Sequence, residues 1–323
     1  MTLLCCDSRQ IEATMFEYMF SADIFVEDMY RQVDGMVEHL GFHRPGPASV
    51  ITDASDAHTI MCRLDRDISR APTRLEVIQG TGSLEHWNGH NIMAAWRSQA
   101  HRAARFHNTV FVAEDLGPLR DELARRRVPT MYDDTLTFER VWIGLSPDNP
   151  TEYDGRHDAG LRIEILPRSA FPVEAEVPPR TGKSEPGAMT RVVDRSFVVD
   201  DIDEALRVLD TCLGWQAAGP VTEVRSGGYL EAVLACRLPR SAALRLRQPT
   251  GSQTAFGAFA QRWGAGPYSI GISVIGLDEK AELLRSAGVP FTDTGDGGDE
   301  RRHLRVGADV VGGTVLEFVE DGA

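Results

Sequence analysis

One pattern of apolar and polar positions recurs four times along the chain. A short apolar strand leads to an acidic residue, an amphipathic helical period, a glycine or proline stop, and further strand-like runs. The four copies open with "SADIFVEDMYRQ" at Ser21, "HNTVFVAEDLGP" at His107, "DRSFVVDDIDEA" at Asp194 and "SIGISVIGLDEK" at Ser269. Their starts lie 86, 87 and 75 residues apart, a spacing regular enough to mark an internal repeat.

The helices are defined by their ends. Asp201 is placed to accept from free amides of the first turn, and Glu204, three residues on, completes a capping-box pattern. Ile202, Ala205, Leu206, Leu209 and Leu213 then share one face. Gly41, Gly214 and Gly288 supply stops at positions where a helix end turns left-handed. Each copy closes on another strand: "TRLEVIQ" (73–79), "LRIEILP" (161–167), "ALRLRQP" (243–249) and "TVLEFVE" (314–320). The pattern predicts an α+β protein of four βαβββ modules. A module's strands have an apolar face they cannot cover alone, so the modules are expected to pair.

Residues 167–191 carry five prolines and neither helical nor alternating period, the composition of a linker. The expected division is an N-terminal domain 1–166 (modules 15–80 and 105–166), the proline-rich linker 167–191, and a C-terminal domain 192–323 (modules 192–249 and 266–320). Residues 83–104 are expected to form a helical connector, with His86, His90 and His101 on its solvated face.

Composition narrows the partners. At 323 residues, with 42% hydrophobic and 25% charged positions, the chain is ordinary for soluble globular domains. A net charge of −14 argues against nucleic acid or an anionic membrane, both of which favour basic surfaces. Five cysteines (Cys5, Cys6, Cys62, Cys212, Cys236) without CxxC spacing suit free thiols in a reducing compartment. The opening residues lack a basic stretch ahead of their apolar run, and no run reaches the length of a membrane span. The expectation is a cytoplasmic protein that works on small molecules, with a homodimer as one possible assembly.

The fourfold βαβββ grammar resembles the vicinal oxygen chelate superfamily, which includes glyoxalase I, bleomycin-resistance proteins, methylmalonyl-CoA epimerase and the extradiol dioxygenases. The resemblance implies two half-open barrel domains, each of two modules, with a metal held by residues on the first and last strands. Carried over, the first domain's ligand positions hold Ser21, Glu76, His107 and Glu164; the second domain's hold Asp194, Arg245, Ser269 and Glu317. Arg245 would bring a positive charge into a cation site, so the second domain is expected to be metal-free.

Glu76 in "RLEVI" and Glu164 in "RIEIL" are carboxylates flanked by aliphatics. If the aliphatics pack toward the helices, strand alternation turns both carboxylates into the cup. Two ionised groups facing one cavity repel unless a cation or donor lies between them. With His107 as neutral nitrogen, the implied cofactor is one divalent ion: Zn, Mn, Co, Ni or Fe. Such a site acts as a Lewis acid on neighbouring substrate oxygens. The resemblance implies a lyase or isomerase in which Glu164, then Glu76, moves the proton. His58, Tyr153, His157 and Arg245 are candidate substrate contacts. The alternatives are an extradiol-type dioxygenase, which needs another nitrogen ligand, and a non-catalytic small-molecule binding or resistance protein.

Overall fold

A computed structural model describes residues 14–26, 28–46, 50–52, 57–62, 64, 70–80, 109–134, 138–148, 153–174, 185–295 and 301–320. The expected connector 83–104 and His107 lie outside the described residues.

Four βαβββ modules follow one another, as the pattern predicts. The first comprises β1 (Tyr18–Phe25), α1 (Met29–Leu40), β2 (Val50–Thr52), β3 (Ala57–Cys62) and β4 (Arg74–Gly80). The second comprises β5 (Thr109–Ala113), α2 (Leu116–Arg125), β6 (Thr130–Asp133), β7 (Arg140–Ile143) and β8 (Ile163–Pro167). The third comprises β9 (Met189–Val198), α3 (Ile202–Leu213), β10 (Thr222–Val224), β11 (Tyr229–Leu234) and β12 (Ala243–Pro249). An additional helix, α4 (Ala255–Trp263), precedes the fourth module: β13 (Gly266–Val274), α5 (Leu277–Ser286), β14 (Phe291–Asp293), β15 (His303–Val306) and β16 (Val315–Glu320). β9 begins at Met189, inside the stretch whose prolines suggest a linker.

The strands form two mixed eight-stranded sheets, in the orders β2-β3-β4-β1-β5-β8-β7-β6 and β10-β11-β12-β9-β13-β16-β15-β14. The first strand of a module lies parallel to its last, as β1 does to β4, β5 to β8 and β13 to β16, while the intervening strands meander antiparallel. The fold is α+β and glyoxalase-like.

Helix ends follow the local rules. Asp28, Asp115 and Asp201 accept from the amides of Arg31, Gly117 and Glu204, and Gly41 and Gly214 close α1 and α3 at φ of 73° and 62°. The capping box at Asp201 is only half made, because the Glu204 carboxylate is drawn to Arg207 instead. Ile202, Ala205, Leu209 and Leu213 are buried on one face of α3, with Leu206 half-buried at its margin.

The chain divides into two compact units. One comprises residues 1–20, 108–172 and 195–267; the other comprises 21–107, 173–194 and 268–323. In the first unit, Phe16 stacks on Phe111 at 4.7 Å and both meet the edge of Trp215. Arg126 donates to the carbonyls of Asp210 and Thr211 at 3.0 Å, placing a cation at the negative end of α3.

In the second unit, buried Lys280 of α5 donates to the Leu40 carbonyl at the end of α1 (2.7 Å) and lies over the Phe318 ring. Burial pulls its ammonium from 10.5 down to about 8. Between those values the unfolded chain holds the proton more tightly than the folded one, so stability rises with pH across that window. The span of the shift sets the gain at roughly 3 kcal/mol. Urea unfolding from pH 7.5 to 10.5 is expected to show this rise in the unaltered chain and a flatter profile in Lys280→Met.

Candidate functional site

One contact sets which way the closing strands face. The side-chain carbonyl of Gln79 in β4 accepts from the Met29 amide at the start of α1 (3.0 Å). Gln248 in β12 does the same for Ile202 of α3 (2.8 Å), and the Glu320 carboxylate in β16 takes the Gly276 and Leu277 amides at α5 (3.0 and 2.7 Å). These residues face the helices. Glu76, Arg245 and Glu317 each stand three places earlier on the strand, an odd step, and so face the opposite, concave side.

In the first module, Glu76 pairs in register with Asp23 of β1, which puts both carboxylates on one face. Both are buried, and the Ser21 hydroxyl donates to Asp23 Oδ1 at 2.7 Å. Asp23 is the site residue that sequence reasoning misses. Its signal is the two-residue step from Ser21 inside the apolar run "SADIF".

In the second module, Glu164 stands opposite Trp142 of β7 and Val110 of β5. Arg140 Nη1 lies 3.1 Å from Glu164 Oε1, and both side chains are buried at 9% and 8% exposure. Glu164 therefore already has a cation beside it. His107 cannot be placed here, since it lies outside the described residues. The caps also bear on its alignment. Ser21, Asp194 and Ser269 stand seven residues before the N-caps Asp28, Asp201 and Gly276; the same count from Asp115 reaches Asn108, also outside the described residues. Among the described residues, no three His, Cys, Asp or Glu side chains gather as a metal cage.

In the third module, Arg245 and Arg247 share the concave face, and both are engaged by Glu231, at 2.6 and 2.9 Å. Arg247 also lies over the rings of Tyr229 and Phe256, the latter from α4. In the fourth, Glu317 accepts from Ser269 (3.0 Å) and from Arg305 (3.2 Å). The His303 ring nitrogen Nε2 lies 2.9 Å from Arg305 and 3.7 Å from Glu317. Gly271, opposite Glu317 in register, leaves room for the Asp194 carboxylate, which lies 2.6 Å from where a Cβ would stand.

The remaining candidates are dispersed. His58 lies opposite Thr52 and Gln79 in register; its side chain is outside the described set. Tyr153 donates to Asp158 and accepts from the Arg162 amide, while Asp158 also takes the amides of Gly160 and Ile163. Burial pushes Asp158 up to about 6. His157 lies 3.4 Å from Asp154, in a 3-10 turn (Gly155–His157) that packs against α3. These contacts brace a loop. A groove of about 540 Å³ beside α2, lined by Met15, Ala113, Pro118 and Leu119 among others, shares no residue with the concave carboxylates.

No family model matches the chain, and no curated protein matches it. Among solved structures, 4-hydroxymandelate synthase from Streptomyces coelicolor is similar over 95% of this chain and 94% of its own, with a TM-score of 0.58 at 14% identity. Methylmalonyl-CoA epimerase from Mycobacterium tuberculosis matches 41% of this chain and 88% of its own, at 25% identity and a TM-score of 0.36. A hypothetical protein from Bacillus halodurans matches 41% and 94%, at 20% identity and a TM-score of 0.37. The chain has the fold of the vicinal oxygen chelate superfamily, to which the synthase and the epimerase both belong. Both of these named neighbours are enzymes. Among the described residues, no helix is long and apolar enough to cross a membrane.

The ion pair on Glu164 has a measurable consequence. After reconstitution with Zn or Mn, Glu164→Gln is expected to hold the same number of divalent ions per chain as the unaltered protein, read by plasma mass spectrometry. Loss of a bound ion in this variant would make Glu164 a ligand and overturn the assignment.

Proposed function

We propose that the chain is an enzyme that moves a proton on a small oxygenated organic substrate, an isomerase or lyase, with Glu76 as the carboxylate that carries the proton. The observation supporting this is the buried register pair Asp23–Glu76. Two carboxylates on one buried face make a proton acceptor when one of them is ionised. Such a pair can take a proton from an acidic C–H beside a carbonyl and return it, to the same carbon or to a departing group. The Ser21 hydroxyl orients Asp23, and Glu76 is the member assigned to substrate. Glu164, compensated by Arg140, does not carry the proton.

The divalent cage implied by the resemblance, His107 with Glu76 and Glu164, is set aside in this reading in favour of the Arg140 guanidinium as the cation beside Glu164. The proposed proton transfer is carried by the side chains of the Asp23–Glu76 pair. The proposal includes a cytoplasmic, self-associating chain divided at 167–191, with small molecules as its partners. A second reading, a non-catalytic binding protein, draws support from the arginines that meet Glu164, Glu231 and Glu317 on the concave faces.

The test is solvent exchange. The protein is incubated in D2O with 2-oxo acids, hydroxy ketones and acyl thioesters, and loss of C–H signal is followed by proton NMR. One class is expected to exchange, with Glu76→Gln slower by about 100-fold or more, the scale of a lost general base. Exchange at full rate in Glu76→Gln would refute its role, and saturable binding of a panel member without exchange would favour the binding protein.

A further inference from the structure

The groove beside α2 takes no part in the chemistry proposed at Glu76, and it lies on the other side of the sheet. Ala113, in its wall, stands three places along β5 from Val110, the residue opposite Glu164 in register, and that odd step turns it to the helix side. A volume of about 540 Å³ is within the range of small-molecule sites. Met15, Ala113, Pro118 and Leu119 form an apolar strip. Glu114 and Asp115 stand at one end of it, and Glu122 stands seven residues past Asp115, roughly 10 Å along the helix axis. Among the described residues, no basic side chain belongs to the lining.

The two ends differ in charge. Glu122 is held by both Arg125 and Arg126. At the other end, Asp115 takes the Gly117 amide at the start of α2 (2.8 Å). Glu114 is 74% exposed, and the Arg237 guanidinium, 3.5 Å from it, lies closer to Glu17 at 2.7 Å. Two carboxylates at this end thus share one arginine with a third acid.

We propose that the groove binds an organic monocation with a linear apolar body, an alkylamine in its simplest form. The ammonium meets Glu114 and Asp115, and the chain covers Met15, Pro118 and Leu119. A neutral chain would gain the apolar contacts alone, and a carboxylate would be repelled at the acidic end. A second ammonium would gain nothing at Glu122, whose charge two arginines already meet. This site stands independently of the reading at Glu76.

Isothermal titration calorimetry with octylamine, octanol, octanoate, butylamine and octanediamine tests it. The unaltered chain is expected to bind octylamine saturably, and octanol and octanoate at least about tenfold more weakly, the worth of one charge-assisted contact. Butylamine is expected to be weaker by about tenfold, because four methylenes leave the strip, and octanediamine no tighter than octylamine. Glu114→Lys, at an exposed position, is expected to keep the melting transition and to place octanoate ahead of octylamine. Isotope-labelled methionine methyl groups locate the ligand by NMR: octylamine is expected to shift Met15 and to leave Met61, opposite Glu76 in register, unmoved. No saturable octylamine binding, octanol, octanoate or butylamine matching it, octanediamine exceeding it, an unchanged order in Glu114→Lys, or a shift at Met61 without one at Met15 would each overturn the proposal.

Discussion

The orientation of three of the four closing strands depends on one short contact, made by the strand's second-to-last or last residue with the first amides of the module's helix. Gln79, Gln248 and Glu320 each satisfy an amide that the helix itself leaves without a partner. A one-residue slip would strand those amides and turn the apolar helix-side residues into the cup. The second module has Pro167 at this position, and among the described residues Asp115 accepts at the start of α2. Its strand is oriented instead by Ile163 and Ile165, both fully buried on the face opposite Glu164.

Once that face is set, charge decides what it can do. A carboxylate on a buried sheet face requires a partner, and the modules meet the requirement differently. Arg140, Arg305 and the Arg245–Arg247 pair bring cations to Glu164, Glu317 and Glu231. Glu76 stands in register with a second acid, Asp23. The repeat thus produces four similar scaffolds carrying different chemistry, and a ligand position inferred from one module does not transfer to the next.

The scaffold is largely legible in the residues. Alternation in "RLEVI" and "RIEIL", the aspartate caps and the glycine stops are local signals, and they lead to four modules of the right order. The site is legible only in part. Alternation correctly turns Glu76 and Glu164 away from the helices, but Arg140 lies 24 residues from Glu164 and on another strand, so only the pairing of β7 with β8 reveals the ion pair. Asp23 is hidden for a related reason. In an apolar run, one acidic residue gives no hint of its neighbour until the parallel register with β4 is known. Arg245, a candidate substrate contact in the sequence, is engaged by Glu231 on the adjacent strand.

Assigning the proton to Glu76 rather than to Glu164 requires that the charge of Glu164 be met inside the protein. A double-mutant cycle joining Arg140→Met and Glu164→Gln, read as the free energy of urea unfolding, tests that claim most directly. Each single change is predicted to cost about 3 kcal/mol or more, because it removes one partner of a buried ion pair. The double change is predicted to cost less than their sum, with a coupling of roughly 1.5–3 kcal/mol. Additive costs, with coupling near zero, would mean that the two side chains do not compensate each other and would return Glu164 to the list of possible ligands.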